Sequence, residues 1–310
     1  MTAAEPPGPP RKLTPGSAEP VARIGTSRDL YFPLGDDELR ELVRLALEED
    51  GAFSDLTTVA TVVSDRRARA ALVAREAGVI AGLPLAIEAF RLLDPKIAVR
   101  VDAADGSRVQ QGAILAFCAG HARALLSAER VALNFMLRLS GIATLTRRYV
   151  DAVAGTGAKI LDTRKTTPGW RRLEKYAVRA GGGVNHRFDL ASAVLVKDNH
   201  LAAADGDARL AVQRARELAP SGTPIEIECD TIEQVRIALD AGAEVILLDN
   251  MSLEQLAEAV RQCKGRALTE ASGGVRLENV RRIAETGVDR ISVGALTHSA
   301  PALDLALDFD

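Results

Sequence analysis

Arg164-Lys165, His186-Arg187 and Lys197 are cationic or titratable groups that no helix face accounts for. The first pair follows the apolar run AKILDT (158–163), the second closes the Gly-rich turn RAGGGVNHR, and Lys197 ends SAVLVKD (192–198). A short apolar run that breaks into charge is how a parallel barrel strand delivers side chains to its mouth. Guanidinium forks and ammonium groups gathered there select carboxylates and phosphates, so the chemistry is the binding of a multiply anionic small molecule. From Asp162 to His200 the chain holds eight Lys/Arg against four Asp/Glu, although its total charge is −3. Four of the eight, Arg171, Arg172, Lys175 and Arg179, belong to RRLEKYAVR and read as the solvated face of a basic helix.

Carboxylates alternate with the cations. PIEIEC (224–229) and EVILLDN (244–250) end in Glu228 and in Asp249-Asn250. Two acids one strand apart can hold Mg²⁺, which takes hard oxygen ligands together with substrate phosphates. The strand period puts Glu226 on the same face as Glu228 but deeper, as an interior charge with a partner of its own. Ser272-Gly273-Gly274 after ALTEAS (267–272) and Gly294 after RISVG (290–294) are small residues whose backbone N–H groups can close on a phosphate. His186 and His298 read better as hydrogen-bond donors to substrate anions than as bases; His121 and His200 read as structural.

The elements that carry these residues alternate strand and helix from 158 onward. Between the strands lie TIEQVRIALDAG, SLEQLAEAVRQC and RLENVRRIAETG, and Gly242 and Gly287 close two of the helices. Six such strands describe a parallel α/β barrel; an open doubly wound sheet is the rival, but no G-x-G-x-x-G follows any strand. Upstream, 36–49 reads as a helix, 68–76, 77–82 and 96–104 as strands, and 105–120 as a Gly-turned hairpin. Together they make a small α/β domain over 31–133. A helix over 121–139 is apolar nearly all round except for the stripe Arg123, Ser127, Arg130, Asn134 and Arg138, which faces either solvent or an interface or cleft. The Pro- and Ala-rich segment 1–30 reads as a disordered tail. The net charge argues against nucleic acid. No apolar run reaches membrane length, no signal-peptide core is present, and three unpatterned cysteines fit the cytoplasm.

LDTRKTTPGWR, RAGGGVNHRFDL, VLVKDNH, IEIEC, ILLDN, EASGGV and VGALTHS, with the helix SAERVALNFMLRLSGIAT, resemble the quinolinate phosphoribosyltransferases, the carboxylating nicotinate-nucleotide pyrophosphorylases of de novo NAD synthesis. The match runs in order from about residue 31 to the C-terminus. The resemblance implies a small α/β sandwich domain (31–133, rejoined by 300–310) on an incomplete barrel of about seven strands (134–299). It implies transfer of phosphoribose from phosphoribosyl pyrophosphate to quinolinate, with release of pyrophosphate and CO₂. It also implies a homodimer with shared sites, in which Arg130 reaches in from the partner. Arg164, His186, Arg187 and Lys197 would then hold the quinolinate carboxylates. Lys165, Asn250, Ser272, Gly273, Gly274, Gly294 and His298 would hold the donor, and Glu228 and Asp249 its Mg²⁺ and ribose, with Lys165 and Lys197 beside them in the catalytic group. Two rivals remain at this point. A transferase acting on a monocarboxylate such as nicotinate would release no CO₂ and need fewer cations. A silent barrel that only binds a pyridine nucleotide would not need the Glu228/Asp249 pair.

Overall fold

The computed structural model describes residues 30–204 and 206–310, so all but the last residue of the segment read as a tail lies outside the described residues. The chain divides into two compact units, one running to Leu137 and taking in Leu303–Asp310, the other Arg138–Ala302.

In the first unit α1 (Asp36–Glu49) buries Leu39, Val43 and Leu47 on one stripe and carries Asp36, Asp37 and Glu38 in its first turn, where the helix dipole favours acids. A short α2 (Leu56–Thr61) is capped by Asp55, whose side chain accepts the Thr58 N–H. Strands β1 (Arg67–Ala74) and β2 (Gly78–Val79) precede α3 (Leu83–Leu93), which is followed by β3 (Ala98–Val101), β4 (Arg108–Val109) and β5 (Ile114–His121). The stretch read as a hairpin does not pair with itself: β4 pairs with β2, and β5 runs antiparallel between β1 and β3. The turn between them redirects the chain to a different sheet. The last strand of the chain lies along β1, giving a four-stranded antiparallel sheet.

Helix α4 (Ala122–Ala152) is longer than the apolar pattern indicated, and its polar stripe has several fates. Arg123 donates to the Val59 and Val62 carbonyls, and Ser127 to Asp55. Arg138 bonds Glu174 and the Thr297 and Ala300 carbonyls. Arg130 and Asn134 are exposed.

The second unit is the strand–helix alternation. It runs β6 (Lys159–Leu161), α5 (Arg171–Ala180), β7 (Val194–Val196), α6 (Asp198–Ala202), α7 (Ala208–Leu218), β8 (Ile225–Cys229), α8 (Ile232–Asp240) and β9 (Val245–Asp249). Then come α9 (Leu253–Cys263), β10 (Leu268–Ser272), α10 (Leu277–Glu285), β11 (Arg290–Ser292) and α11 (Ala295–His298), before β12 (Leu305–Phe309) returns to the first unit's sheet. Six strands pair in parallel in the order β6-β11-β10-β9-β8-β7. Where a seventh of the expected strands would stand, the described residues give a single parallel bridge, Leu161 to Val184. The sheet is curled nonetheless, because the edge strands β6 and β7 both line one cavity. One face of each strand (Ile227, Ile246, Leu248, Ile291) is buried with the helix stripes Val235/Ala238, Leu256/Ala259 and Val280/Ile283/Ala284. This burial on both faces is why these strands read as continuous apolar runs.

Candidate active site

The other strand face is polar. Register pairs Glu228 with Leu247, Glu270 with Leu247 and with Arg290, and Ser272 with Asp249. Alternation then turns Glu226 and Glu228, Leu247 and Asp249, Glu270 and Ser272, and Arg290 and Ser292 inward. All of these but Glu226 and Arg290 line a cavity of about 390 Å³ at the C-terminal strand ends. Arg164, Lys165, His186, Arg187 and Lys197 line it with Glu228, Asp249 and Ser272, and so do Thr163, Glu270 and Ser292, to which no role was assigned from the sequence.

The cations are only partly compensated. Lys197 Nζ is ion-paired to Glu228. Arg187 gives Nη1 to the Ala193 carbonyl at 3.0 Å, and the buried Nε of Arg164 has no partner. Burial, followed by the charge of Arg164, lowers the Arg187 pKa. Two guanidiniums held close enough to repel form a receptor for a dianion.

Asp162 holds the loop that presents Arg187. It is fully buried and accepts from Lys175, from Asn185 Nδ2 at 2.6 Å and from the His186 N–H at 2.9 Å. Lys175 also donates to the His186 carbonyl at 3.1 Å. The solvated reading of Lys175 is therefore corrected: it is 3% exposed. Helical spacing shows which residues of α5 share a face, not that an acid on the adjoining strand will draw a lysine inward. Glu174, also fully buried, takes Arg138 and the Thr167 hydroxyl and N–H.

His186 lines the cavity, but both ring nitrogens are engaged within the protein. Nε2 lies 3.2 Å from Glu226 and 3.3 Å from Glu270, and Nδ1 accepts the Arg187 N–H at 2.7 Å. The direct grip on a substrate carboxylate implied by the resemblance has no free ring nitrogen to make it. Glu226 does have an interior partner. Burial alone would lower the His186 pKa, but the two carboxylates outweigh it and push it up to about 9. Nδ1 accepts the Arg187 N–H, so the ring directs its Nε2 proton at the two carboxylates, which is why they raise its pKa. Burial raises the Glu226 pKa in the same sense. These three groups are also the one cluster of three or more possible metal-ligating side chains among the described residues. A metal-binding histidine donates from its other nitrogen, whereas Nδ1 here accepts, so the cluster is a proton network rather than a metal site.

Asn250, Gly273, Gly274, Gly294 and His298 are not among the residues that line the cavity. Asn250, at φ 53°, donates its N–H to the Ser272 carbonyl at 3.0 Å and its amide to Asp249 at 2.6 Å. Gly273, at φ +84°, is pressed against Asn250 so closely that any side chain would collide with it. A Cβ on Gly294 would stand 3.1 Å from Lys165 Cδ and 3.2 Å from His298 Nε2. Arg130 belongs to the first unit, where it borders a hollow with Asp55 and Ser127.

A curled parallel sheet that gathers guanidiniums, ammoniums and carboxylates at its C-terminal strand ends defines an α/β-barrel enzyme for a multiply anionic small molecule. Residues 142–308 match the model of the quinolinate phosphoribosyl transferase C-terminal domain, and 55–140 that of the N-terminal domain. The chain is 47% identical over 280 residues to the carboxylating nicotinate-nucleotide pyrophosphorylase of Mycobacterium leprae, covering 88% of this chain and 97% of that one. It is 43% identical to the protein named as probably the same enzyme in Bacillus subtilis, over 87% and 93% of the two chains. The solved structure of the nicotinate-nucleotide pyrophosphorylase from Francisella tularensis superposes with a TM-score of 0.85 at 37% identity, over 92% of this chain and 100% of that one. The chain belongs to the quinolinate phosphoribosyltransferase family.

Proposed function

We propose that the protein transfers the phosphoribosyl group of phosphoribosyl pyrophosphate to quinolinate with loss of CO₂, giving nicotinate mononucleotide and pyrophosphate. The observation that carries this is the under-compensated pair Arg164 and Arg187 in one cavity with Glu228 and Asp249. In this reading the two guanidiniums and Lys197 take the quinolinate carboxylates, and Lys165, Asn250, Ser272, His298 and the backbone around Gly273, Gly274 and Gly294 take the donor. Arg130 is exposed in the first unit, which supports its contribution to the site of a second copy in a homodimer. His186 then works through Arg187, whose N–H it holds.

Glu228 and Asp249 offer hard oxygen donors on one cavity wall, and the ammonium of Lys197 already stands on Glu228 as a cation does. The residues fit Mg²⁺, which when bound would supply neutralising charge for the pyrophosphate. As pyrophosphate leaves, ribose C1 becomes cationic, and preorganised carboxylates stabilise it by ~10²–10³ in rate per group. The pyridine nitrogen attacks, becomes cationic and serves as the electron sink for loss of the 2-carboxylate. The protein keeps that carboxylate poorly solvated while gripping the 3-carboxylate. The cytoplasm is the compartment we assign, in keeping with three cysteines that are free and buried.

Carbon label in the 2-carboxyl of quinolinate is expected to appear as CO₂ only when the phosphoribosyl donor is present. Label that stays in a dicarboxylate nucleotide, or CO₂ released without the donor, would overturn the assignment.

A further inference from the structure

Resting on that reading, loss of CO₂ leaves a carbanion at C2 of the pyridine ring, and the product carries hydrogen there. A proton must be delivered inside the cavity. We propose that Ser292 delivers it, as a catalytic acid recharged by Glu270.

Three hydroxyls line the cavity, those of Thr163, Ser272 and Ser292, and among the described residues only Ser292 is bonded to a carboxyl. Ser292 is 5% exposed and Glu270 is fully buried, so this pair is the dry floor beneath the charged rim. Behind it Glu270 Oε1 is 3.3 Å from His186 Nε2, which is 3.2 Å from Glu226. Glu270 Oε2 and Glu226 Oε1 are buried without hydrogen-bond partners, and Arg290 Nη1 stands 4.0 Å from the former. Ser292, Glu270, His186 and Glu226 thus form one chain of polar contacts, a relay that runs from the cavity floor toward the far side of the sheet. The cluster also has its own way to solvent. A second cavity, of about 230 Å³, opens among the N-terminal strand ends and is lined by His186, Glu226 and Arg290 but not by the rim carboxylates. His186 and Arg187 line both cavities.

The step balances. The bond from C2 to its carboxylate breaks, CO₂ departs, and the electron pair stays on C2 beside the cationic ring nitrogen. C2 takes the Ser292 hydroxyl proton, and Ser292 takes the proton of the Glu270 carboxyl. Glu270 recovers one from water reached through the lower cavity, so each turnover consumes one solvent proton. The cations at the rim are poor candidates for the donor. Lys197 is held on Glu228, and a guanidinium does not give up its proton.

The test uses the full chain with quinolinate, phosphoribosyl pyrophosphate and Mg²⁺ in an equal mixture of H₂O and D₂O, reading deuterium at C2 of the nicotinate mononucleotide by NMR. Ser292→Ala is expected to lower kcat by ~10²-fold, the lower end for a positioned acid, while the KM of each substrate stays within roughly threefold. Ser292→Thr, which keeps the hydroxyl, restores most of the rate. Ser292→Cys fits the same space and guards against a folding defect. A thiol holds less deuterium than a hydroxyl in the same water, so its product carries less deuterium at C2 than the wild-type product. Equal deuterium in the Cys and wild-type products, or an Ala variant altered only in KM, overturns the proposal. Wild-type protein that releases no CO₂ at all would instead sink the functional reading beneath it.

Discussion

Replacing Lys175 by Met tests the buried frame that presents Arg187. Asp162 and Lys175 are 0% and 3% exposed, and burial is the leading cause of both shifts, raising the pKa of the acid and lowering that of the amine. The pair is thus held against its desolvation cost, and removing one partner strands the other. Breaking a buried pair costs ~3–5 kcal/mol. Asp162 has an escape, because it can take a proton. At pH 7, protonating a carboxyl whose unfolded value is near 4 costs ~4 kcal/mol, at ~1.4 kcal/mol per pH unit, which caps the penalty. The Asn185 and His186 donors that remain on the carboxylate lower it somewhat. The expected loss is therefore about 3 kcal/mol at pH 7.

The sign of the pH dependence follows from the same escape. In the variant the folded-state pKa of Asp162 lies above its unfolded value. Its neutral form costs nothing below that unfolded value, and stability is lost as pH rises. The gap to wild type is expected to shrink by roughly 1–2 kcal/mol between pH 7 and pH 5.5. The single tryptophan, Trp170, stands at the N-terminus of α5 and reports urea unfolding of this unit by fluorescence. Asp162→Asn with Lys175→Met together should recover most of the loss, since no charge is then stranded. A single-variant penalty under about 1 kcal/mol, or one that does not change with pH, would refute the reasoning.

Three further outcomes are expected. Arg164→Ala should weaken quinolinate binding by ~10–100-fold, the value of a charge-assisted contact, and leave phosphoribosyl pyrophosphate binding within about twofold, as read by calorimetry. Unchanged quinolinate affinity removes Arg164 from the receptor. Gly294 has φ −63°, so Gly294→Ala should not strain the backbone or move the Tm, but its Cβ crowds Lys165. The KM for phosphoribosyl pyrophosphate should rise roughly fivefold, about 1 kcal/mol of a displaced contact, and an unchanged KM would show that Lys165 does not meet the donor. Asp94 accepts from the N–H groups of Lys96 and His121 and lies 3.0 Å from His121 Nδ1. Burial would raise its pKa, but these bonds hold it below the ordinary value. Its contribution is present above the unfolded pKa and is lost as pH falls through the folded one. The urea midpoint of wild type should therefore drop more steeply than that of Asp94→Asn between pH 5 and 3, and equal slopes would contradict it.

The barrel was legible in the sequence because parallel strands buried on both faces read as apolar runs, and each ends where its side chains leave the core. Glu228, Asp249 and Ser272 were found by that rule, and the structure brings them to one cavity. Pairing partners were not legible: 105–120 has a hairpin's turn residues, yet β4 and β5 join different sheets. Depth was the other blind spot. Lys175 looked like its neighbours on a basic helix, and only Asp162, thirteen residues earlier on another element, explains why it is buried.

The same alternation that revealed Glu228 and placed Glu226 beneath it extends to the neighbouring strands. Counting inward by twos gives Glu226 below Glu228, Glu270 below Ser272, and Ser292 above Arg290. A barrel interior is ordinarily filled by branched apolar side chains. Two acids and a hydroxyl at neighbouring inward positions therefore forgo packing, and each needs a partner that sequence cannot name. That partner is His186, from a loop where no strand period applies, with Nε2 between the acids and Nδ1 on the Arg187 N–H. One imidazole thereby ties the anion receptor at the rim to the buried carboxylates at the floor. A substitution there, His186→Asn, should disturb quinolinate affinity and C2 protonation together, whereas Arg164→Ala should disturb only the first.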